Sequence, residues 1–198
     1  ETFNKVNVEL VNLKEEPIKK FDVNGLWTLK SFKPLDMVIF ATGFDAITGP
    51  LLKIKITGRK KRTLSKEWKH QTISLLGLQV PGFPNLFTIT GPGSPSVLTN
   101  MPRAIEQHVE WITKCIDDLK SNKKLTIEAT DAAAQEWKKE VHKAAETGMF
   151  LKTSHSWYLG TNIDGKPVGF IPYAGGLNKY RAICEDSSVN NYKGFLIK

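Results

Sequence analysis

Hydrophobic and polar positions recur with different periods along this chain, and those periods predict its elements. Residues 6–13, VNVELVNL, alternate apolar and polar side chains, which is typical of a half-buried strand. The pair Asn24-Gly25 separates two further alternating runs and favours a tight hairpin, because both residues tolerate positive φ. We therefore expect a small antiparallel meander over residues 1–33.

Two short apolar runs each lead into a glycine. MVIFA at 37–41 runs into TGFD, and NLFTIT at 85–90 is followed by glycine. Continuously apolar runs of this length predict strands buried on both faces, as in a parallel sheet covered by helices. Ligands of such folds collect at the carboxyl ends of the strands, so the pattern favours a nucleotide-binding α/β fold.

The period changes to that of an amphipathic helix after Pro102, a residue that suits a first helical turn. The positions predicted to face inward are Ile105, Val109, Ile112, Ile116 and Leu119.

A second helix is predicted at about 131–146, with Thr130 or Asp131 as its N-cap. Its inward positions would be Trp137, Val141 and Ala144 or Ala145. Beyond Gly148, aromatic residues and glycines alternate, and we expect short strands and loops packed over a site.

Charge and length change this picture little. The 198 residues carry a net charge of +8, much of it in KIKITGRKKR at 53–62. This segment is either a solvated loop or a contact for an anion, such as nucleic acid or a phosphorylated cofactor. It holds no aromatic residue, so a nucleic-acid partner is set aside. No apolar run approaches the roughly 20 residues that cross a bilayer, so we expect no membrane segment.

The cysteines and histidines predict neither a disulfide framework nor a metal site. Cys115 and Cys184 lie far apart and outside any C-x-x-C pair, which favours a reduced, cytoplasmic location. Four histidines show no ligand spacing with one another or with the cysteines; they are His70, His108, His142 and His155.

The segment GPGSPSVLTNMP at 91–102 is the most suggestive motif. A helix N-terminus carries unpaired N–H groups and partial positive charge. Small residues before it would allow a planar or anionic group, such as a reduced flavin, to approach the backbone. A tight strand-to-helix connection without a ligand explains the same composition. It is not a G-x-G-x-x-G fingerprint, because position 96 is serine.

Three longer strings carry a family resemblance: ATGFDAITG, GFPNLFTITGPGSPSVLTNMPRAIEQHVEWI and SWYLGTNIDGKPVGFIPYAGGLNKYRAICE. They resemble the C-terminal half of Baeyer–Villiger monooxygenases of the cyclohexanone and phenylacetone monooxygenase type, in order and over nearly the whole chain. The resemblance implies an α/β flavoprotein with two dinucleotide-binding domains. Residues 1–40 would end the NADP-binding domain, and 41–198 would form the C-terminal part of the FAD-binding domain, with a lid and tail at 151–198.

The same resemblance implies an FAD- and NADPH-dependent enzyme. Through a C4a-peroxyflavin it would insert one oxygen atom of O₂ next to a ketone carbonyl, giving an ester or lactone, or add it to sulfur. The partners would be a small ketone or thioether and an N-terminal half upstream of Glu1, which in relatives holds both dinucleotide fingerprints and the catalytic arginine. No catalytic residue is therefore assigned here, and we expect the chain alone to be inactive.

The resemblance also assigns residues. The family's Ala-Thr-Gly link between the NADP and FAD domains is matched by Ala41, Thr42 and Gly43. Positions beside the flavin ring are matched by Asn100 and Met101. A loop that lines the substrate pocket is matched by Ser96, Val97, Leu98 and Met101. Trp157 matches a tryptophan that contacts the NADP ribose and the substrate cavity, and the segment that folds over the nicotinamide contains Asn162 and Lys166.

Departures and alternatives remain. The family usually has Gly-Pro-Arg-Thr-Tyr before LGL, where this chain has QTISLLGL at 71–78. A flavin monooxygenase that oxygenates nitrogen or sulfur is a close alternative. A non-catalytic α/β module that binds a nucleotide or an acidic partner is a distant one. Without an N-terminal half, exposed apolar strands at 37–41 and 85–90 would favour self-association.

Overall fold

The computed structural model describes residues 1–198 and divides them into two compact units, Glu1–Gly43 and Phe44–Lys198. The division falls three residues beyond the predicted boundary at 40/41. The assignment of the first unit to an NADP-binding domain stays a prediction.

The first unit holds a three-stranded antiparallel meander. Its strands, paired in the order β1-β2-β3, are β1 (Ile18–Asp22), β2 (Gly25–Thr28) and β3 (Phe32–Pro34). Asp22 pairs with Gly25, so the hairpin loop is 23–24. Only Gly25 of the predicted pair has positive φ, at 151°. The Asp22 carboxylate stabilises the turn instead, by accepting hydrogen bonds from Asn24 N at 2.9 Å and Trp27 Nε1 at 2.6 Å.

Three predicted strands are wrong. Residues 6–13 and 37–41 form no strand, and 85–90 contributes only an isolated bridge between Phe87 and Gln79. An apolar run becomes a strand only where a second backbone pairs with it, and here none does. Ile39 is 81% exposed, and every paired strand of the chain is antiparallel, so the expected buried parallel sheet is not formed within these residues.

The second unit is mainly helical. Its helices are α1 (Gly49–Leu52), α2 (Leu64–Glu67), α3 (Met101–Ser121), α4 (Asp131–Glu146) and α5 (Leu177–Val189). Its strands β4 (Ile127–Ala129) and β5 (Phe195–Ile197) form one antiparallel pair. Short 3₁₀ helices cover Thr2–Asn4 in the first unit and Arg59–Lys61, Ser96–Leu98 and Phe150–Lys152 in the second.

Helix α4 confirms its prediction. Its N-cap Thr130 accepts a hydrogen bond from Ala133 N at 3.2 Å. All four of its predicted inward residues are buried: Trp137, Val141, Ala144 and Ala145. Helix α5 lies where only strands and loops were expected. Its buried residues Tyr180, Cys184 and Ser187 follow a helical spacing that the prediction overlooked.

Helix α3 forms as predicted but presents a different face to the core. Its buried residues are Ala104, Gln107, His108, Trp111, Cys115 and Leu119. Four of these come one position before a residue predicted to face inward, a rotation of about 100°. Ile105, Val109 and Ile116 are 39–44% exposed, and Ile112 is half-buried. Trp111 fixes which face of α3 is buried. Its Nε1 donates to the Cys184 carbonyl at 2.9 Å, and its ring contacts Tyr192 and Phe195.

The basic segment 53–62 is partly neutralised within the chain. Arg59 pairs with Glu128 at 2.6 Å, and Arg62 makes a two-point contact with Glu67. Lys60 and Lys61 point into solvent. No helix of the structure combines the length and apolar character needed to cross a bilayer.

Candidate functional site

The glycine-rich turn 91–96 is packed inside the second unit. Residues 91–96 are all buried. A Cβ at Gly91 would lie 2.5 Å from the Gly77 carbonyl oxygen, and Gly93 has φ of +88° beneath Trp137, whose Nε1 donates to the Gly93 carbonyl at 3.0 Å. These glycines serve close packing within the chain, so a ligand would meet the residues that follow them.

The start of α3 leaves two backbone donors free. The Asn100 side chain accepts from Arg103 N at 3.3 Å, Ala104 N donates to the Asn100 carbonyl at 3.1 Å, and Pro102 has no N–H. The N–H groups of Asn100 and Met101 make no hydrogen bond within the chain. Asn100 is exposed and Met101 half-buried. The positive end of a 21-residue helix therefore offers two donors to an acceptor-rich or anionic group.

A backbone ladder joins this turn to the loop that carries Trp157. Segment 169–173 forms its middle: Gly93 N donates to Ile171 O at 2.7 Å, and Tyr173 N donates to Ser94 O at 2.8 Å. On the other side, Ile171 N donates to Tyr158 O at 2.9 Å, and Gly169 N donates to Leu159 O at 3.0 Å. The turn that precedes the predicted pocket loop and the loop that carries Trp157 are thus both hydrogen-bonded to one segment.

The residues of the predicted lid differ in how free they are to contact a ligand. Trp157 is half-buried and stacks on Tyr158, with ring centroids 4.2 Å apart. Asn162 has a buried Oδ1 without a hydrogen-bond partner. Lys166 forms an ion pair with Asp45 and lies 3.5 Å from the Ala46 carbonyl oxygen, so its charge is already paired.

The remaining predicted residues are spread over different environments. Ser96 is buried with φ of +45°, Val97 is 39% exposed and Leu98 is half-buried. The linker residues are all exposed and belong to the first unit: Ala41, Thr42 and Gly43. None of five surface cavities is lined by a predicted site residue. One of them, about 490 Å³, lies near the C-terminal ends of α3 and α5. None of these cavities is lined by Asn100, assigned to the flavin edge, or by Trp157, assigned to the NADP ribose and the substrate cavity.

Sequence reasoning missed a buried histidine that holds the turn. Thr90 N donates to His108 Nδ1 at 3.0 Å, which leaves His108 Nε2 to donate to Tyr180 Oη at 2.8 Å. Tyr180 in turn donates to the Leu76 carbonyl. Burial lowers the pKa of His108 to about 4, so the ring is neutral at pH 7. The only sequence signal was a histidine next to the predicted apolar stripe of α3.

Comparisons with known proteins identify the relatives of this chain. No protein-family model matches the chain. It is 38% identical over 198 residues to the phenazine N-monooxygenase PhzNO1 of Lysobacter antibioticus and 37% identical over 198 residues to the cyclohexanone 1,2-monooxygenase of an Acinetobacter species. Both matches cover the whole chain and 36% of the relative. The chain is related to the Baeyer–Villiger monooxygenases.

Solved structures agree with this relationship. A closed form of cyclohexanone monooxygenase superimposes with a TM-score of 0.93 at 38% identity, covering 99% of this chain and 36% of that one. OTEMO in complex with FAD and NADP gives a TM-score of 0.91 at 34% identity, covering all of this chain and 36% of that one. The resemblance and the fold class predicted from the sequence are confirmed. The chain spans about a third of the length of the relatives that it matches.

Proposed function

We propose that the chain forms the flavin-edge wall and the lid of an FAD- and NADPH-dependent monooxygenase. The enzyme would insert one oxygen atom of O₂ next to the carbonyl of a small ketone, giving an ester or lactone. The observation that carries the proposal is the ladder that ties the turn before α3 to the Trp157 loop, in a chain that superimposes on cyclohexanone monooxygenase over 99% of its length. The other two thirds would supply the dinucleotide fingerprints and the catalytic arginine, so the chain alone would be inactive.

The residues present fit both cofactors. The free N–H groups of Asn100 and Met101 suit the acceptor-rich pyrimidine edge of a flavin. The buried, unpartnered Oδ1 of Asn162 suits an N–H or O–H donor of NADP. When bound, the flavin supplies the activation of O₂, and NADPH supplies the reducing equivalents.

The chain's own residues would orient these groups and exclude water. Dipoles at the start of α3 would stabilise negative charge at the flavin edge without reorganising. The half-buried Trp157, backed by Tyr158, would cover the nicotinamide side, with Val97, Leu98 and Met101 as the apolar wall toward the substrate. The linker Ala41, Thr42 and Gly43 would join the two cofactor domains.

Oxygenation at nitrogen or sulfur is the second candidate. The 38% identity to a phenazine N-monooxygenase favours it specifically, because that relative matches the chain as fully as the ketone monooxygenases do. The wall residues could serve either reaction. The cytoplasmic location expected from the unpaired cysteines stays a prediction.

A chimera tests the proposal. The third of the Acinetobacter cyclohexanone 1,2-monooxygenase that matches this chain is replaced by residues 1–198, and the purified protein is assayed with NADPH and cyclohexanone. We expect bound FAD, ketone-dependent NADPH oxidation and lactone detected by gas chromatography. W157A should lower lactone yield per NADPH by roughly tenfold, because the site is then open to water.

Two controls keep the result interpretable. K152A changes an exposed residue near the lid and should leave the yield unchanged. Phenazine offered in place of cyclohexanone tests the second candidate. A folded, FAD-loaded chimera that oxygenates neither substrate would contradict the proposed function.

A further inference from the structure

The lid loop between residues 160 and 168 is fixed at two places. Its base is closed by the hydrogen bonds between segments 158–159 and 169–171. Gly160 adopts φ of +73°, and a Cβ there would lie 2.7 Å from the Pro167 carbonyl oxygen, so the base requires glycine. The second attachment is the ion pair between Lys166 and Asp45.

This ion pair is unlike an ordinary surface pair. The Lys166 side chain is only 11% exposed, and lysine is rarely buried to that degree without a partner. Its partner is not the nearest carboxylate in sequence: Asp164, two positions away in the same loop, is exposed and forms no ion pair. Lys166 instead reaches Asp45, whose side chain is 36% exposed, and the adjacent Ala46 carbonyl oxygen.

The sequence around Asp45 is shaped to hold its carboxylate there. A Cβ at Gly49 would lie 2.4 Å from Asp45 Cγ and 2.7 Å from its Oδ2. The Asp45 side chain therefore folds back over a position where only glycine leaves room. Asp45 follows the linker Ala41, Thr42 and Gly43 by two residues, at the start of the second unit.

We propose that Asp45 and Lys166 form a latch that holds the lid loop closed, so that Lys166 is a positioning residue rather than a cofactor ligand. The latch deepens the proposed function, on which it rests, because the loop that it holds carries Asn162 and begins three residues after Trp157. Holding this loop down would keep water from the covered site and slow the release of NADP.

Hydrogen exchange of the 198-residue chain without cofactor tests the latch by itself. D45N leaves the Lys166 ammonium buried without its counter-charge, so amide exchange in residues 161–168 should quicken by roughly tenfold. K166M keeps the packing of the stem and should also speed exchange. The double variant D45N/K166M should exchange no faster than D45N, because both changes break one interaction.

Two further variants guard against misfolding as the explanation. D164N makes the same charge change within the loop and should exchange like the unmodified chain. G49A leaves both charged residues in place but displaces the Asp45 side chain, so it should behave like D45N. Equal exchange in D45N and D164N, or additive effects in the double variant, would overturn the latch.

The chimera separates the latch from the proposed function. NADP⁺ dissociation, followed by stopped flow, should be faster in both D45N and K166M by a similar factor. If K166M alone accelerates release, Lys166 contacts the cofactor directly and the latch is wrong. If lid exchange responds as expected but the chimera neither binds NADP⁺ nor oxygenates, the latch stands and the proposed function fails.

Discussion

His108 shows how one buried side chain can hold a turn and a helix together through two hydrogen bonds. It accepts from Thr90 N, immediately before the turn 91–96, and meets Tyr180 of α5 through its other nitrogen. Burial raises the pKa of the Tyr180 hydroxyl well above its usual value, so the tyrosine stays a donor to the Leu76 carbonyl. Three separate parts of the second unit thereby depend on one neutral imidazole.

This dependence predicts a loss of stability in acid. The pKa of His108 falls from 6.5 to about 4 on folding, so between these pH values the unfolded chain binds more protons. The free energy of unfolding should drop by roughly 3 kcal/mol as pH is lowered from 6.5 to 4, with no contribution from this residue above 6.5. Urea unfolding at a series of pH values measures the slope.

Two variants test whether His108 causes this pH dependence of the free energy of unfolding. Glutamine at this position can accept from Thr90 N and donate to Tyr180, so H108Q should fold and lose most of the slope. H142Q changes an exposed histidine of α4 and should retain it. A slope that is unchanged in H108Q would refute the assignment.

The chemistry of individual residues was only partly predictable from the sequence. Asn100 and Met101 could be placed at a helix start because Pro102 and the helical period locate it. The ion pair between Lys166 and Asp45 joins residues 121 positions apart in sequence, so no local sequence pattern indicates it. His108 belongs to no recognisable sequence motif, because its hydrogen-bond partners lie in a turn and a helix that are distant in sequence.

At the level of elements, local signals succeeded where the chain itself supplies the partner. Helix α4 has a cap, a helical period and a core to pack against, and its prediction is confirmed. Segments 37–41 and 85–90 carry the composition of buried strands, but no strand in these 198 residues pairs with them. Apolar composition alone therefore predicts neither burial nor pairing in this chain: Ile39 is 81% exposed, and strand formation depends on a neighbour that composition does not reveal.

The cap of α4 yields an element-scale prediction. Thr130 Oγ1 accepts from Ala133 N and donates to the Gly194 carbonyl at 3.0 Å, so it joins α4 to the residues before β5. T130A should lower the free energy of unfolding by about 1–2 kcal/mol, through the lost cap and one lost hydrogen bond. T130S keeps the hydroxyl and should recover most of this loss in chemical denaturation. Equal free energies of unfolding for T130A and T130S would show that the Thr130 hydroxyl does not stabilise the chain.

At the scale of the whole molecule, several large apolar side chains are exposed to solvent in a chain that spans only about a third of its relatives' length. Helix α3 has an apolar face wider than the second unit covers, and Ile105, Val109 and Ile116 are left 39–44% exposed. In the first unit, Ile39 and Phe40 are 81% and 70% exposed. The helical period of α3 correctly indicated an apolar stripe, and the wrong inward assignment arose because these residues cover only one part of it.

We expect the isolated chain to self-associate through the exposed stripe of α3, since contiguous apolar surface favours contact between copies. Sedimentation velocity over a range of concentrations should show an average mass that rises above 22.2 kDa. I105E/V109E places two carboxylates on the stripe and should restore the monomer, because their burial against a second copy is unfavourable. L125E adds charge at an 83% exposed leucine outside the helix and should leave association intact. A monomer at every concentration, or an equal effect of L125E, would mean that the stripe does not drive contact between copies.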